Sequence, residues 1–256
     1  MKHLKLAIAA LALSMGIGAA QAQDVLKIGV EGAYPPFSEK LPDGKLVGFD
    51  IDIAWALCAE MKRTCELVEQ DWDGMIPALI EKKFDAIIAS MSVTPDRLEK
   101  VDFSKKYYNT PAMFYAKTGS GLSDAPGALK GKKVGVQRGT IHQTFMEAKY
   151  PEADLVLYGS QDEVYLDLVN GRLDAGMSDS IAADDGFLKT DQGKGFAFFG
   201  KPHSDPAIHG EGAGVAVRKG DKALADAFTG AIAAIRASGK YDEIRKKYFA
   251  FDIYGS

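Results

Sequence analysis

One arginine near a predicted helix start offers the clearest chemistry in the sequence. An apolar stretch at 85–89 reads as a strand, and Thr94-Pro95 then signals a helix start, with the threonine as N-cap. Arg97 falls in the first turn of that helix, where free N–H groups already make the backbone partly positive. A guanidinium beside free N–H groups suits a carboxylate. The alternative is an Arg97 that is solvated, or paired with Glu99 or Asp102.

Other polar and aromatic side chains also follow predicted strands. In the first half of the chain they are Glu31, Tyr34, Trp72, Ser90, Ser92 and Arg97. Because ligands of parallel α/β sheets bind outside the carboxyl ends of the strands, we expect these residues to share one site. Core packing is the alternative for the two aromatics, and a cap or solvated loop is the alternative for the glutamate.

The second half of the chain supplies complementary groups. Asp179 follows a predicted strand at 173–178 and could accept hydrogen bonds from an ammonium, or could cap the helix from Ser180. Thr140 is expected to cap another helix, which would give a second helix N-terminus after a strand. A site with both charges suits a zwitterion.

Strands and helices alternate along the chain, which predicts an α/β fold with mostly parallel sheets. Asp50 is expected to cap the first helix. After a polar connector at 122–131 the pattern restarts, with a strand at 133–137 and a helix from Asp162 to Asn170. The sequence therefore predicts two α/β units.

The first 22 residues are typical of a secretory signal peptide. A basic start precedes an apolar run at 6–20, and Ala20-Gln21-Ala22 has the pattern of a cleavage site. The mature chain is thus expected to begin at Gln23 and to be exported. The formal net charge is −4 and there is no basic tract, which argues against nucleic-acid binding.

The cysteines and histidines are candidates for a disulfide and for metal ligands. Cys58 and Cys65 are an even, close pair in an exported chain, which suggests a disulfide, with two reduced core thiols as the alternative. His203 and His209 lie near Asp205, but an exposed polar loop is favoured over a metal cluster. The sequence lacks G-x-S-x-G and H-E-x-x-H, so it gives little support to catalysis.

Seven segments together form a specific pattern: EGAYPPF at 31–37, GFDIDI at 48–53, the Cys58–Cys65 pair, DWDGMIPAL at 71–79, SMSVTPDR at 90–97, LDAGMSD at 173–179 and KKYFAFDIYG at 246–255. With them the chain resembles the periplasmic solute-binding proteins of polar amino-acid ABC transporters. The nearest group binds lysine, arginine and ornithine, or histidine. The resemblance extends over essentially the whole mature chain.

The resemblance implies a two-lobe periplasmic-binding-protein fold that closes on its ligand. Lobe 1 would comprise 23–109 and 213–256, and lobe 2 would comprise 112–204. Two crossovers, at 109–112 and 204–213, would act as hinges.

The resemblance also implies a site for each part of an amino acid. The head group would be held by Arg97 at the α-carboxylate, Asp179 at the α-ammonium, and Ser90, Ser92, Thr140 and Ile141 around them. The side chain would lie between Tyr34 and Trp72, with Glu31 meeting a distal cation. Five positions depart from the group's pattern and leave side-chain specificity open: Glu31, which is one methylene longer than the usual Asp, and Ala89, Gln137, Ile141 and His142.

The function implied is that of a periplasmic receptor, not an enzyme, for a free cationic amino acid. Arginine or ornithine comes first, followed by lysine and histidine, and the receptor would deliver its ligand to an inner-membrane ABC permease. We expect a monomer without cofactor or metal. The alternatives are an opine-binding receptor and an enzyme similar to cyclohexadienyl dehydratase on the same fold.

Overall fold

The structure is a computed structural model that describes residues 25–255. The predicted signal peptide, 1–22, and its cleavage site after Ala22 lie outside the described residues. Up to the first crossover the elements are β1 (Leu26–Val30), β2 (Ala33–Tyr34), β3 (Ser38–Lys40), β4 (Leu46–Val47), α1 (Phe49–Glu60), β5 (Cys65–Glu69), α2 (Met75–Ile80), β6 (Ala86–Ile87), α3 (Pro95–Lys100) and β7 (Val101–Tyr108).

The remaining elements form the second half and the return to the first. Up to the second crossover they are β8 (Ala112–Lys117), β9 (Lys133–Gln137), α4 (Ile141–Lys149), β10 (Asp154–Tyr158), α5 (Gln161–Val169), β11 (Ala175–Asp179), α6 (Ser180–Ala183), β12 (Phe196–His203) and α7 (Pro206–His209). The chain then continues through β13 (Ala213–Arg218), α8 (Lys222–Ala237) and α9 (Lys240–Tyr248).

Two five-stranded sheets organise the described residues, and we call the parts built around them lobe 1 and lobe 2. The lobe 1 sheet has the order β5-β1-β6-β13-β7, and the lobe 2 sheet has the order β10-β9-β11-β8-β12. In each sheet the first three strands are parallel and the fourth runs antiparallel to its neighbours. This is the mixed α/β, two-lobe architecture that the sequence predicts.

The chain passes between the sheets twice. It leaves lobe 1 after Tyr108 and enters lobe 2 at Ala112, and it returns between His203 and Ala213. These passages lie at the predicted crossovers, whose bending as hinges stays a prediction. In the second passage Gly210 has a φ of +71°, and a Cβ there would collide with the carbonyl oxygen of Val93. Close backbone approach therefore explains this glycine.

Local signals place the site-bearing helices. Thr94 caps α3 by accepting a hydrogen bond from the Arg97 N–H at 3.4 Å, and Pro95 occupies the first turn. Thr140 caps α4 by accepting from the Gln143 N–H at 3.4 Å. Both predicted caps are confirmed: α4 begins shortly after β9, whereas a longer loop separates α3 from β6.

Two predicted helix starts are wrong. The N-cap of α1 is Gly48, and Asp50 lies fully buried in the first turn, where it binds partners far away in sequence. The cap of α5 is Ser160, which forms a capping box with Glu163, so the helix begins at Gln161. Asp50 resembled a cap because it is a polar residue in the first turn, and the predicted start at Asp162 is one residue late.

The disulfide and the chain end hold lobe 1 together. Cys58 and Cys65 are disulfide-bonded, linking α1 to β5 as the sequence suggests. Helices α8 and α9 pack on α1, and Ile253 is buried, with its carbonyl oxygen accepting a hydrogen bond from the Asn109 N–H. In the described part of the chain, no helix is long and apolar enough to cross a membrane.

Candidate functional site

A cavity of about 250 Å³ lies between the lobes, at the carboxyl ends of the strands. Every residue that the sequence analysis assigns to the ligand site lines this cavity: Glu31, Tyr34, Trp72, Ala89, Ser90, Ser92, Arg97, Gln137, Thr140, Ile141, His142 and Asp179. The structure thus brings the predicted residues together. Their contacts with a ligand stay a prediction.

Arg97 is held in the cavity wall by carbonyl oxygens. Its Nη1 donates to the Ser92 carbonyl at 2.9 Å, and its Nη2 donates across the cleft to the Gly139 carbonyl at 3.2 Å. Its guanidinium lies 5.2 Å from the centre of the Trp72 ring. Burial lowers the Arg97 pKa to about 10, so the side chain stays charged at neutral pH. The cation is oriented by its neighbours, and its positive charge remains available to an anion.

The proposed pairing of Arg97 with a neighbouring acid is not what the structure shows. Asp102 forms an ion pair with Lys219 at 3.0 Å and accepts a hydrogen bond from the Gly220 N–H. Asp102 is therefore paired with residues of the segment after β13 and not with Arg97.

Asp179 is the helix cap that one of its two interpretations predicts, and its role as an ammonium acceptor stays a prediction. It ends β11 and caps α6, accepting from the Ile181 N–H at 2.8 Å and the Ala182 N–H at 3.4 Å. Its other carboxylate oxygen accepts the hydroxyl hydrogen of Thr110. Burial raises the Asp179 pKa to about 6, against the effect of these three donors. The cap fixes a carboxylate that also faces the cavity.

Glu31 is the least compensated charge in the cavity wall. It is 7% exposed, and its Oε1 accepts a hydrogen bond from Gln137 Nε2 at 2.6 Å, across the two lobes. The same Gln137 nitrogen lies 3.3 Å from the Gly159 carbonyl. Burial raises the Glu31 pKa to about 7, and nearby acids add to that rise. A cation placed here would stabilise the ionised carboxylate.

The two aromatics differ in how firmly they are built into the core. Tyr34 lies in β2, is 9% exposed, and stacks on Phe37 with a centroid distance of 5.9 Å. Trp72 lies in a short 3₁₀ turn before α2, is half-buried, and packs against the hydrophobic cluster behind β6. Core packing and cavity lining are thus combined in both residues.

His142 and His209 line the cavity, so His209 does not lie in the exposed polar loop that the sequence favours. His142 is 5% exposed and His209 is 8% exposed, because α7 packs on α4. The Phe145 ring lies 4.9 Å from His203 and 5.1 Å from His209. Burial lowers the His142 pKa to about 3, so this imidazole is neutral. Residues 25–255 hold no cluster of three potential metal ligands.

Sequence reasoning missed the part of the wall formed by the crossovers, because it treated those segments as connectors. The additional lining residues are Tyr108, Asn109, Thr110, Ser204, Pro206, His209, Gly210, Gly212 and Ala213. The polar residues beside Pro111 could have indicated this wall, since a crossover must run past the cleft between two lobes.

The lobes are in contact around the cavity. Among the described residues, the polar contacts that join them include Arg97 to Gly139, Glu31 to Gln137, and the Asp73–Arg138 ion pair at 3.4 Å. The structure therefore shows the two sides of the site close enough for one small molecule to touch both.

Residues 26–251 match the family model described as bacterial extracellular solute-binding proteins, family 3. The chain belongs to this family. A family 3 protein of Pseudomonas aeruginosa, an L-arginine-binding protein, is 53% identical over the full length of both chains. The lysine/arginine/ornithine-binding periplasmic protein of Escherichia coli is 40% identical, over 98% of this chain and 100% of the relative.

A solved structure shows the same family 3 architecture. A Salmonella typhimurium periplasmic binding protein, whose structure was determined to explain its high arginine specificity, superposes with a TM-score of 0.82 at 37% identity. The match covers 88% of this chain and 99% of that protein. These similar proteins are transport binding proteins, which agrees with the class that the sequence resembles.

Proposed function

We propose that this family 3 protein is the periplasmic receptor of an ABC importer and binds a free cationic L-amino acid, with arginine or ornithine preferred over lysine and histidine. Export by a signal peptide cleaved after Ala22 and delivery to a membrane permease are part of this proposal. The names of the P. aeruginosa and E. coli relatives support the ligand class.

The charges of the cavity support a zwitterion with a cationic side chain. Arg97 and the N-terminus of α4 would hold the carboxylate, and Asp179 would accept from the ammonium. Trp72 and Tyr34 would flank the aliphatic part of the side chain. Each end of the ligand would then meet a group of opposite charge, so its charges would leave water without losing their partners.

The buried carboxyl of Glu31 is the observation that best supports a cationic side chain. Its buried carboxyl has only neutral hydrogen-bond support from Gln137, and burial raises its pKa to about 7. A neutral ligand would leave that carboxyl protonated or uncompensated. A guanidinium or ammonium would pair with the ionised form and so gain a charge-assisted hydrogen bond.

A thermal-shift screen followed by calorimetry tests the proposal. A ligand that binds only the folded protein raises its stability by mass action, so arginine and ornithine should give the largest shifts among the amino acids. Glutamine and citrulline are the neutral controls. Shifts that are largest for neutral amino acids would contradict the assignment of Glu31.

The same purified protein can be used to test the two alternatives, a dehydratase and an opine receptor. Incubation with prephenate or arogenate should leave both unchanged, since we assign the cavity to binding without chemistry. Formation of phenylpyruvate or phenylalanine would favour the dehydratase. An opine that binds more tightly than arginine would place this chain with the opine receptors.

A further inference from the structure

A buried carboxylate lies behind the cavity wall and has no assigned role. Asp50, in the first turn of α1, is 0% exposed. Its Oδ2 accepts a hydrogen bond from the Ser90 hydroxyl at 2.9 Å, and its Oδ1 accepts from the Tyr107 hydroxyl at 3.0 Å. Burial raises the Asp50 pKa to about 7, against the effect of these two donors, so the ionised form carries a desolvation cost. Asp50 contacts Ser90, a residue of the cavity wall, and through it the carboxylate can act on the site.

The hydrogen bonds around Asp50 fix the direction in which each hydroxyl donates. Tyr107 has one hydroxyl hydrogen, which goes to Asp50, and its oxygen accepts from the Ser90 N–H at 3.1 Å. Ser90 therefore donates its backbone N–H to Tyr107 and its hydroxyl hydrogen to Asp50. Ser90 lines the cavity, so a ligand that reaches its Oγ would meet only lone pairs. A serine hydroxyl, ordinarily donor and acceptor, has become an acceptor.

The backbone of Ser90 supports this interpretation. Its φ is +55°, in the left-handed region that non-glycine residues rarely adopt. Strained residues of this kind persist where surrounding contacts over-determine them and are concentrated at functional sites. The contacts with Asp50 and Tyr107 hold both the backbone and the hydroxyl of Ser90 in place.

A second hydroxyl on the cavity wall also donates its hydrogen to a carboxylate. Thr110, in the first crossover, donates its hydroxyl hydrogen to Asp179, so its oxygen also presents lone pairs. Asp179, Thr110 and Ser90 thus offer acceptors to the cavity. An ammonium carries three donors and no acceptor, so it is the group that such a wall recognises.

We propose that Asp50 is a positioning residue that keeps Ser90 Oγ an acceptor for the ligand's α-ammonium. This inference depends on the proposed function, because it concerns the same amino-acid site. Asp50 does not touch the ligand itself, and it acts through the direction of one hydroxyl. A purely structural role, in which Asp50 ties α1 to β7, is the alternative to be separated by experiment.

The variant Asp50→Asn changes the polarity of Ser90 while keeping the size of the side chain. If the amide NH₂ faced Tyr107, the buried Tyr107 hydroxyl hydrogen would lose its acceptor. If the NH₂ faces Ser90 instead, every buried donor near it keeps a partner, and that arrangement is favoured. Ser90 Oγ then accepts from Asn, and its own hydrogen turns to the cavity. The Ser90 hydroxyl would then point its hydrogen at the N–H groups of the ligand's ammonium, so two donors would face each other.

Two ligands that differ only at the α-carbon provide the readout. They are L-arginine and its deaminated analogue, 5-guanidinopentanoate, and the measured quantity is the ratio of their dissociation constants by direct and competitive calorimetry. In the unchanged protein arginine should bind far more tightly. In Asp50→Asn the ratio should fall by about tenfold or more, the contribution of a hydrogen bond to a charged group. A structural defect would weaken both ligands equally and leave the ratio unchanged.

Two further variants complete the test. Ser90→Ala should reduce the ratio by the same factor, and the double variant should show no further fall, because Asp50 acts through Ser90. Tyr107→Phe is the comparison variant: it removes one hydrogen bond from the same carboxylate and the acceptor of the Ser90 N–H, but it leaves the Ser90 hydroxyl donating to Asp50, so the ratio should fall less than in Asp50→Asn.

Each outcome has a meaning for the proposal. A ratio that persists in Asp50→Asn, or that falls equally in Tyr107→Phe, overturns it. If Asp50→Asn does not fold, Ser90→Ala decides, and an undiminished ratio there overturns it as well. Failure of the unchanged protein to bind arginine overturns the proposed function, and the inference with it. Arginine binding with an unchanged ratio in the variants overturns the inference alone.

Discussion

The charged groups of the cavity are of two kinds. Arg97 and Asp179 are each fixed by several groups: two carbonyl oxygens for the first, and two backbone N–H groups and a threonine for the second. Glu31 has a neutral amide as its partner, and that amide comes from the opposite lobe. Arg97 also donates across the cleft to Gly139, but it keeps a partner in its own lobe, the Ser92 carbonyl, whereas the hydrogen bond to Glu31 comes from the opposite lobe.

This difference matches a division between common and selective recognition. All L-amino acids share a carboxylate and an ammonium, so groups held rigidly by the backbone can serve every one of them. Side chains differ, and a buried carboxyl with a pKa of about 7 stands near the balance between its two protonation states. The ligand's side chain can therefore decide whether Glu31 is ionised. The following experiments test this division.

Arg97→Ala should have the largest effect. The carboxylate of any amino acid would lose its charged partner in a buried site, so binding should weaken by at least about 2 kcal/mol and by up to about 5 kcal/mol. The loss should be similar for arginine and for a neutral amino acid. Calorimetry measures both, and near-normal arginine affinity would refute the head-group assignment.

Glu31→Gln should act selectively. Arginine should lose about 1.5–3 kcal/mol of binding, because a charge-assisted hydrogen bond is replaced by a neutral one. Citrulline, which has the length of arginine without its charge, should change little. Competition titrations with the two ligands provide the comparison, and an equal loss for both would show that Glu31 does not read the side-chain charge.

The pH dependence of arginine binding should follow the same residue. In the ligand-free protein the Glu31 carboxyl takes up a proton as the pH falls through about 7, whereas arginine needs it ionised. Arginine affinity should thus fall by about tenfold from pH 8 to pH 6 through Glu31 alone. Glu31→Gln should show a shallower profile. A wild-type profile as flat as that of the variant would contradict this linkage.

The ion pair between Asp73 and Arg138 should have the smallest effect, although it also joins the lobes. Both side chains are substantially exposed, at 42% and 52%. Exposed pairs contribute about 0–1 kcal/mol, so Asp73→Asn should change arginine affinity by less than about fivefold, and less still at high salt. A larger effect would mean that the rim, and not the buried charges, governs closure.

How far the sequence predicts this site depends on how local each signal is. Arg97 and Thr140 follow cap signals within a few residues, and Asp179 ends an apolar strand, so their positions could be predicted. Asp50 resembled a cap because its true partners, Ser90 and Tyr107, lie 40 and 57 residues away in the chain. Such pairings arise from the packing of whole elements and leave no local pattern.

The cavity residues of the crossovers could not be predicted either. Thr110 and His209 line the cavity, but neither lies in a periodic element whose end could be read from the sequence. The family resemblance assigned the residues that relatives share, and it left open positions where this chain departs, such as Gln137. Only the fold shows that Gln137 hydrogen-bonds to Glu31 across the lobes.

The most direct test of selective recognition is a calorimetric comparison of L-arginine with L-citrulline in the unchanged protein. The two ligands share head group, length and shape, and they differ in the charge that Glu31 would meet. We expect arginine to bind at least about tenfold more tightly, as a charge-assisted hydrogen bond requires. Equal affinities would contradict the assignment of Glu31, and with it the proposal that this receptor selects cationic amino acids.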